Sequence, residues 1–371
     1  MVRLINIANG FPVWSEDYNR TVDDVFAVQD DIAQSIVKAL KIELLGEKQE
    51  AILKSYTTSR EAYNLYLQGS YFLNKRGRKN LLKSIEYFEK AIQGDPNYAL
   101  GYAGIANAYW ILGNNLGLPP REAYPRAKAA AIKALELDDN LAEARAALAG
   151  IKIDYEWDFT GAEEEYRKAI TANPGNASAH HMYSFLLSYM GRHDEAIREV
   201  KLARDLDLLA PRIKANVGVI LYFARKYDEA LEELKKALEF DPNHAATYEC
   251  FGQVYRELGR YEEAAASFIK AKELGGDYSI DLACTYARAG NKEESKKILV
   301  ELKERARKEF VSPSFLAAAY GALGENDIAF ELLDKAYSER DNRFCWLKTD
   351  PIYDPMRSDP RFSALLRKIG F

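Results

Sequence analysis

Between Val217 and Phe268 the chain repeats itself at a spacing of 34 residues. Gly218 returns as Gly252, Leu221 as Tyr255, Tyr227 as Tyr261, Ala230 as Ala264 and Leu234 as Phe268. Asp241-Pro242-Asn243 separates the two copies. Proline has no amide hydrogen to continue a helix, so this tripeptide reads as a stop followed by a restart. Small residues, aromatics and a breaker in register at that period predict one helix-turn-helix unit repeated along an axis. The glycine and alanine slots let two helix backbones approach, and the aromatics fill the space beside them. One such unit cannot bury its apolar face alone, so neighbours must stack into a continuous core.

The residues Tyr248, Phe251, Gly252, Tyr255, Ala264, Phe268 and Ala271 resemble the tetratricopeptide repeat pattern W-x2-L-G-x2-Y…A-x3-F…A. The closing proline is supplied by Pro242 in the copy before. The resemblance implies an all-α fold, a right-handed superhelical α-solenoid, with about eight repeats over residues 61–339. The first unit carries Leu65, Gly69, Phe72 and Pro96; the last carries Leu316, Ala317, Tyr320 and Ala336. The second unit has an insertion, Gly113 to Pro120, that the period does not require.

Outside the repeats, residues 1–45 read as a β-hairpin plus helix. Val2 to Ile7 roughly alternates, Asn9-Gly10 is a turn signal, and Phe11 to Tyr18 can return. Thr21-Val22-Asp23-Asp24 then caps a helix with apolar positions from Val25 to Leu44. The stretch from Gly10 to Leu40 resembles the end of a TolB-like domain, which precedes such repeats in bacterial and archaeal signalling and transcription regulators, some with a winged helix or nucleotide-cyclase domain upstream. Only that end is present, so the chain is expected either to be a piece of a longer protein or to use the remnant otherwise. An isolated hairpin has unpaired edges. Self-association of two copies through residues 1–45 (a homodimer) is one expectation, and an arm that is frayed or packed back on the first repeat is the other. Residues 46–60 read as a linker or helix extension. Residues 340–371, rich in Asp-Pro turns, read as a C-terminal capping segment over the last repeat.

At 371 residues the chain exceeds the usual size of a single core, which a solenoid avoids by growing along one dimension. A net charge of −5 gives no general attraction to nucleic acid or an acidic membrane. No apolar run is long enough to span a bilayer. Cys250, Cys284 and Cys345 are few, odd in number and far apart, as expected of reduced thiols in a cytoplasmic protein. No metal-ligand or nucleophile motif is present: His180 and His181 are adjacent and diverge by about 100° on a helix. The basic cluster Lys75 to Lys79 reads as a solvated turn. No catalytic residue, cofactor or metal is expected.

In the tetratricopeptide repeat family the first helix of each pair lines the concave face. Carrying those slots over implies a partner-binding set of Tyr66, Asn107, Trp110, His181, Phe185, Asn216, Tyr222, Glu249, Gln253, Arg256 and Arg288. For the aromatics, packing against the next repeat remains an equal alternative. The amides offer donor and acceptor together to a peptide backbone, and the arginines offer two prongs to a carboxylate. The slots lack the family's Lys and Asn clamp for a terminal carboxylate. The expected function is thus a non-catalytic interaction scaffold holding a protein or peptide segment in the groove. A sensory module of a regulator, or a homo-oligomeric assembly unit, are the alternatives.

Overall fold

The computed structural model describes residues 2–5, 12–16, 35, 57–114, 118–275, 277–308 and 310–371. They fall into two compact units, residues 1–60 and 61–371. In the first, β1 (Val2–Ile5) pairs antiparallel with β2 (Pro12–Glu16), Leu4 opposite Trp14. The expected helix after Thr21, with the linker that follows, lies almost wholly outside the described residues.

The second unit is an all-α solenoid. Helices α1 (Arg60–Lys75) and α2 (Arg78–Gly94) form the first pair, followed by α3 (Ala99–Gly113) with α4 (Pro120–Leu137). Next come α5 (Ala142–Ile151) with α6 (Phe159–Ala172), α7 (Ala177–Tyr189) with α8 (His193–Leu206), and α9 (Pro211–Phe223) with α10 (Tyr227–Phe240). The array ends with α11 (Ala245–Glu257) and α12 (Tyr261–Glu273), α13 (Ser279–Arg288) and α14 (Lys292–Arg305), and α15 (Pro313–Leu323) and α16 (Asn326–Glu339). Tyr66 of α1 packs on Phe88 of α2, each later first helix packs on its partner, and successive first helices such as α3 and α5, α9 and α11, or α13 and α15 also touch. From α3 to α11 the first helices therefore form a continuous inner wall, which the bond from Arg256 on α11 to Asp281 on α13 carries on.

The period has a local cause at each turn. Gly191, Gly259, Gly290 and Gly324 all adopt positive φ between the two helices of a pair, a conformation that costs other residues about 1–2 kcal/mol. In the first and fifth pairs Arg76 (φ 55°) and Arg225 (φ 59°) stand in the left-handed region instead. Arg225 is held there by a two-pronged bond to Asp354, at 2.6 and 2.8 Å. Inside the pairs, a Cβ at Gly252 would lie 2.7 Å from the Phe268 ring, so only glycine permits that approach. Acids open most of the second helices and bases close some of them, as Glu262, Glu263, Lys270 and Lys272 do in α12.

Two features depart from a plain repeat. After α5 the chain widens into a π turn, Lys152–Glu156, ended by Trp157 in the left-handed region. The C-terminal segment then folds as two short 3-10 helices, Asn342–Trp346 and Pro351–Met356, and α17 (Pro360–Lys368). Three aspartates cap them through backbone amides: Asp341 to Arg343, Asp350 to Ile352 and Asp359 to Arg361. In the last two, proline follows in the first helical position, where its missing amide hydrogen costs nothing.

This segment packs on the final pair, where the Met356 side chain occupies the space over Gly321 and the Tyr353 hydroxyl donates to the Ser314 carbonyl at 3.4 Å. It also runs onto the inner wall of earlier pairs. Asn342 donates to Asn114 at 2.6 Å, Tyr222 donates to Asp350 at 2.9 Å, and Trp346 lies among the rings of Tyr189, Phe223 and Phe315. Trp157 stacks on Tyr337 and Phe344, with Arg340 over its face at 4.2 Å. The eighth pair and the tail are thereby fastened to the third.

Candidate functional site on the inner wall

Two cavities open on the inner wall. One, of about 370 Å³, lies among the α1–α2 turn, α3, the π turn, α7 and the start of α9. The other, of about 260 Å³, continues it along α7, α9 and α11 beneath the C-terminal segment. They share Asn114, Met182, Phe185, Tyr189 and Arg212 in their linings.

The first-helix slots fall on these cavities unevenly. Trp110 lines the larger one and donates through Nε1 to Asp154 at 2.8 Å. Phe185 faces both. His181, Asn216, Tyr222, Glu249 and Gln253 line the smaller one. His181 is buried, and its Nε2 lies 2.6 Å from the Asn216 amide nitrogen. Burial, and then the charge of Arg212, lower its pKa to about 3, so the ring is neutral. A neutral ring accepts the Asn216 N–H and leaves the Asn216 oxygen uncommitted. Gln253 donates to Glu249 at 3.4 Å, which likewise leaves its oxygen open.

Four slots are placed elsewhere. Tyr66 packs against Phe88 and Tyr98, at 5.6 and 5.4 Å between ring centres, which is the packing alternative. Asn107 is half-buried and outside both linings. Arg256, expected to offer its prongs to a partner, is fully buried and bonded to Asp281 and Glu257 at 3.0 and 3.2 Å. Arg288 is committed to the same Glu257 at 2.7 Å. Tyr222 lines a cavity, but its hydroxyl is already spent on Asp350 and the side chain is buried. The chain's own acids and tail thus occupy groups that the slot pattern assigns to a partner.

Other residues join the site without a signal in the repeat pattern. The π turn carries Asp154 inward, where it meets Trp110, Asn114 and the Cys345 thiol of the C-terminal segment. Such wide turns are frequent at functional sites. Burial raises the Asp154 pKa to about 7, against the smaller opposing pull of the Trp110 bond. The folded-state value lies above the ordinary one, so the contribution of the protonated carboxyl is complete at low pH and is lost as pH rises through about 7. The stability of Asp154→Asn relative to the parent is therefore expected to rise by about 2 kcal/mol between pH 5 and pH 8. Urea unfolding of both proteins at the two pH values measures it, and a pH-independent difference would contradict it. Burial also raises Glu249 to about 7 and Asp350 to about 6.

Among the described residues no group of histidine, cysteine and acidic side chains is placed to hold a metal ion. The three cysteines are free and buried. No helix among these residues is long and apolar enough to cross a membrane.

Stacked helix pairs with a lined inner wall define an α-solenoid. Models described as tetratricopeptide repeat match residues 165–198, 211–244 and 233–266. A type IV pilus assembly protein of Pseudomonas aeruginosa, PilF, is 36% identical over 117 residues, which is 31% of this chain and 45% of that protein. A Rhizobium meliloti protein named for adenylate cyclase is 25% identical over 104 residues, 28% of this chain and 18% of its own length. The chain therefore spans less than half of either relative. A solved structure of a monomeric IFIT1 mutant with Gppp-AAAA superposes with a TM-score of 0.54 at 16% identity, over 83% of this chain and 76% of that one. This is a likeness of fold alone.

Proposed function

We propose that the chain is a non-catalytic scaffold that holds a short segment of a partner protein against its inner wall. One observation carries the reading. On successive first helices, α9 and α11, the half-exposed amides of Asn216 and Gln253 stand with the Phe185 ring around the smaller cavity. Each has an oxygen left for a backbone N–H of an extended segment, and the ring provides the apolar seat beside them. The repeat type supports an interaction role in general, as does a relative named for pilus assembly. A second reading, the ligand-responsive part of a regulator, draws on the relative named for adenylate cyclase.

Panning a random dodecapeptide phage library against the whole chain tests the first reading. A consensus is expected whose synthetic peptide binds the Asn216→Ala/Gln253→Ala variant at least tenfold more weakly, with the melting temperature nearly unchanged. No consensus, or one indifferent to the double substitution, would overturn it.

A further inference from the structure

The larger cavity holds two arginines that no carboxylate answers. Arg76 reaches it from the left-handed turn between α1 and α2, and Arg212 from the first turn of α9. Neither forms an ion pair or a side-chain guanidinium hydrogen bond among the described residues. Most other arginines of the array do: Arg145 with Glu165, Arg192 with Glu163 and Glu195, and Arg225 with Asp354. Arg76 and Arg212 are also close enough to repel. Arg76 is half-buried and Arg212 is exposed; the proton affinity of Arg76 is lowered by burial first and then by Arg212. Two like charges facing one recess favour an ion of opposite sign between them.

The one acid in the lining does not serve. Asp154 is tied to Trp110 and Asn114 and is held largely protonated below neutral pH by burial. The remaining wall is aromatic: Trp110, Tyr166, Phe185 and Tyr189. At about 370 Å³ the space lies at the small end of ligand sites. It suits one ring system and a compact charged group.

We propose that this cavity binds a small oxyanion carried on a planar ring, the anion between Arg76 and Arg212 and the ring against Trp110 and Phe185. Guanidinium groups match the oxygens of phosphate and carboxylate alike through paired N–H donors, so the shared chemistry is the oxyanion. The site shares Phe185 with the proposed peptide seat, but neither Asn216 nor Gln253 lines it, so it does not rest on that reading.

Calorimetric titration of the full chain, in a buffer free of phosphate and carboxylate, tests this with four probes: inorganic phosphate, phenyl phosphate, benzoylglycine and its uncharged amide. Phenyl phosphate or benzoylglycine is expected to bind, at least tenfold more tightly than inorganic phosphate or the amide respectively. The tighter of the two names the source, a phosphate ester or a terminal carboxylate. Arg212→Gln and, separately, Arg76→Gln are each expected to weaken that binding at least tenfold while the melting temperature holds. Absence of binding by all four, or equal binding by parent and both variants, would overturn the proposal. So would binding of the amide as strong as that of benzoylglycine.

Discussion

Arg256→Ala is expected to destabilise the fold by about 3–5 kcal/mol, the usual consequence of removing one partner from a buried ion pair. The guanidinium is wholly enclosed and lies over the Phe268 ring at 5.8 Å. It donates to Asp281 and Glu257, whose side chains are 6% and 4% exposed. It also reaches the Tyr222 hydroxyl at 3.5 Å. Without it Asp281 loses its cation in a place water does not reach, whereas Glu257 keeps Arg288. Adding Asp281→Asn to the alanine variant should recover part of the loss, since the orphaned charge is gone. Urea unfolding followed by circular dichroism gives both numbers. A midpoint for Arg256→Ala within error of the parent would mean that this side chain is not in the wall.

That result also marks the boundary of what the sequence could tell. The solenoid was legible because its cause is local and periodic. Gly252 must sit against Phe268, and Gly218 against Leu234, so size and spacing announce the pairing. The first-helix slots were legible in part, because a helix fixes which residues share a face. Trp110, Phe185, Asn216 and Gln253 reach the cavities for that reason. Helical phase says nothing, however, about what will meet a face. The partner of Arg256 comes from 25 residues away and that of Tyr222 from 128 residues away. Arg76 looked like one more solvated base in the Lys75 to Lys79 turn. Its left-handed backbone and the approach of Arg212 became visible only once α1, α2 and α9 were placed. The π turn at Lys152–Glu156 left no trace either, since Gly150 and Ala162 keep the spacing of Gly252 and Ala264.

The second large effect concerns the C-terminal segment. Asp350→Ala is expected to destabilise the fold by about 2–3 kcal/mol, from two losses that add. Its carboxylate caps the Pro351–Met356 helix by accepting from the Ile352 amide at 3.0 Å, and it accepts from the Tyr222 hydroxyl on the inner wall at 2.9 Å. Removing it uncaps the one and strands the other in a buried position, beside the still-charged Arg256. The segment would keep Arg225 on Asp354 and the Trp346 ring cluster, so docking should weaken without vanishing. Thermal and urea unfolding of the variant check the size of the loss, and an effect no larger than that of a helix cap alone, about 1 kcal/mol, would leave nothing for the wall contact.

The tail of this solenoid lies along its own inner wall, which decides how much of the wall a ligand can use. A double-mutant cycle of Tyr222→Phe with Asp350→Asn tests it most directly, because the two residues are remote in sequence and share one hydrogen bond. A coupling energy of about 1 kcal/mol or more is expected in urea unfolding. Strict additivity of the two substitutions would contradict it.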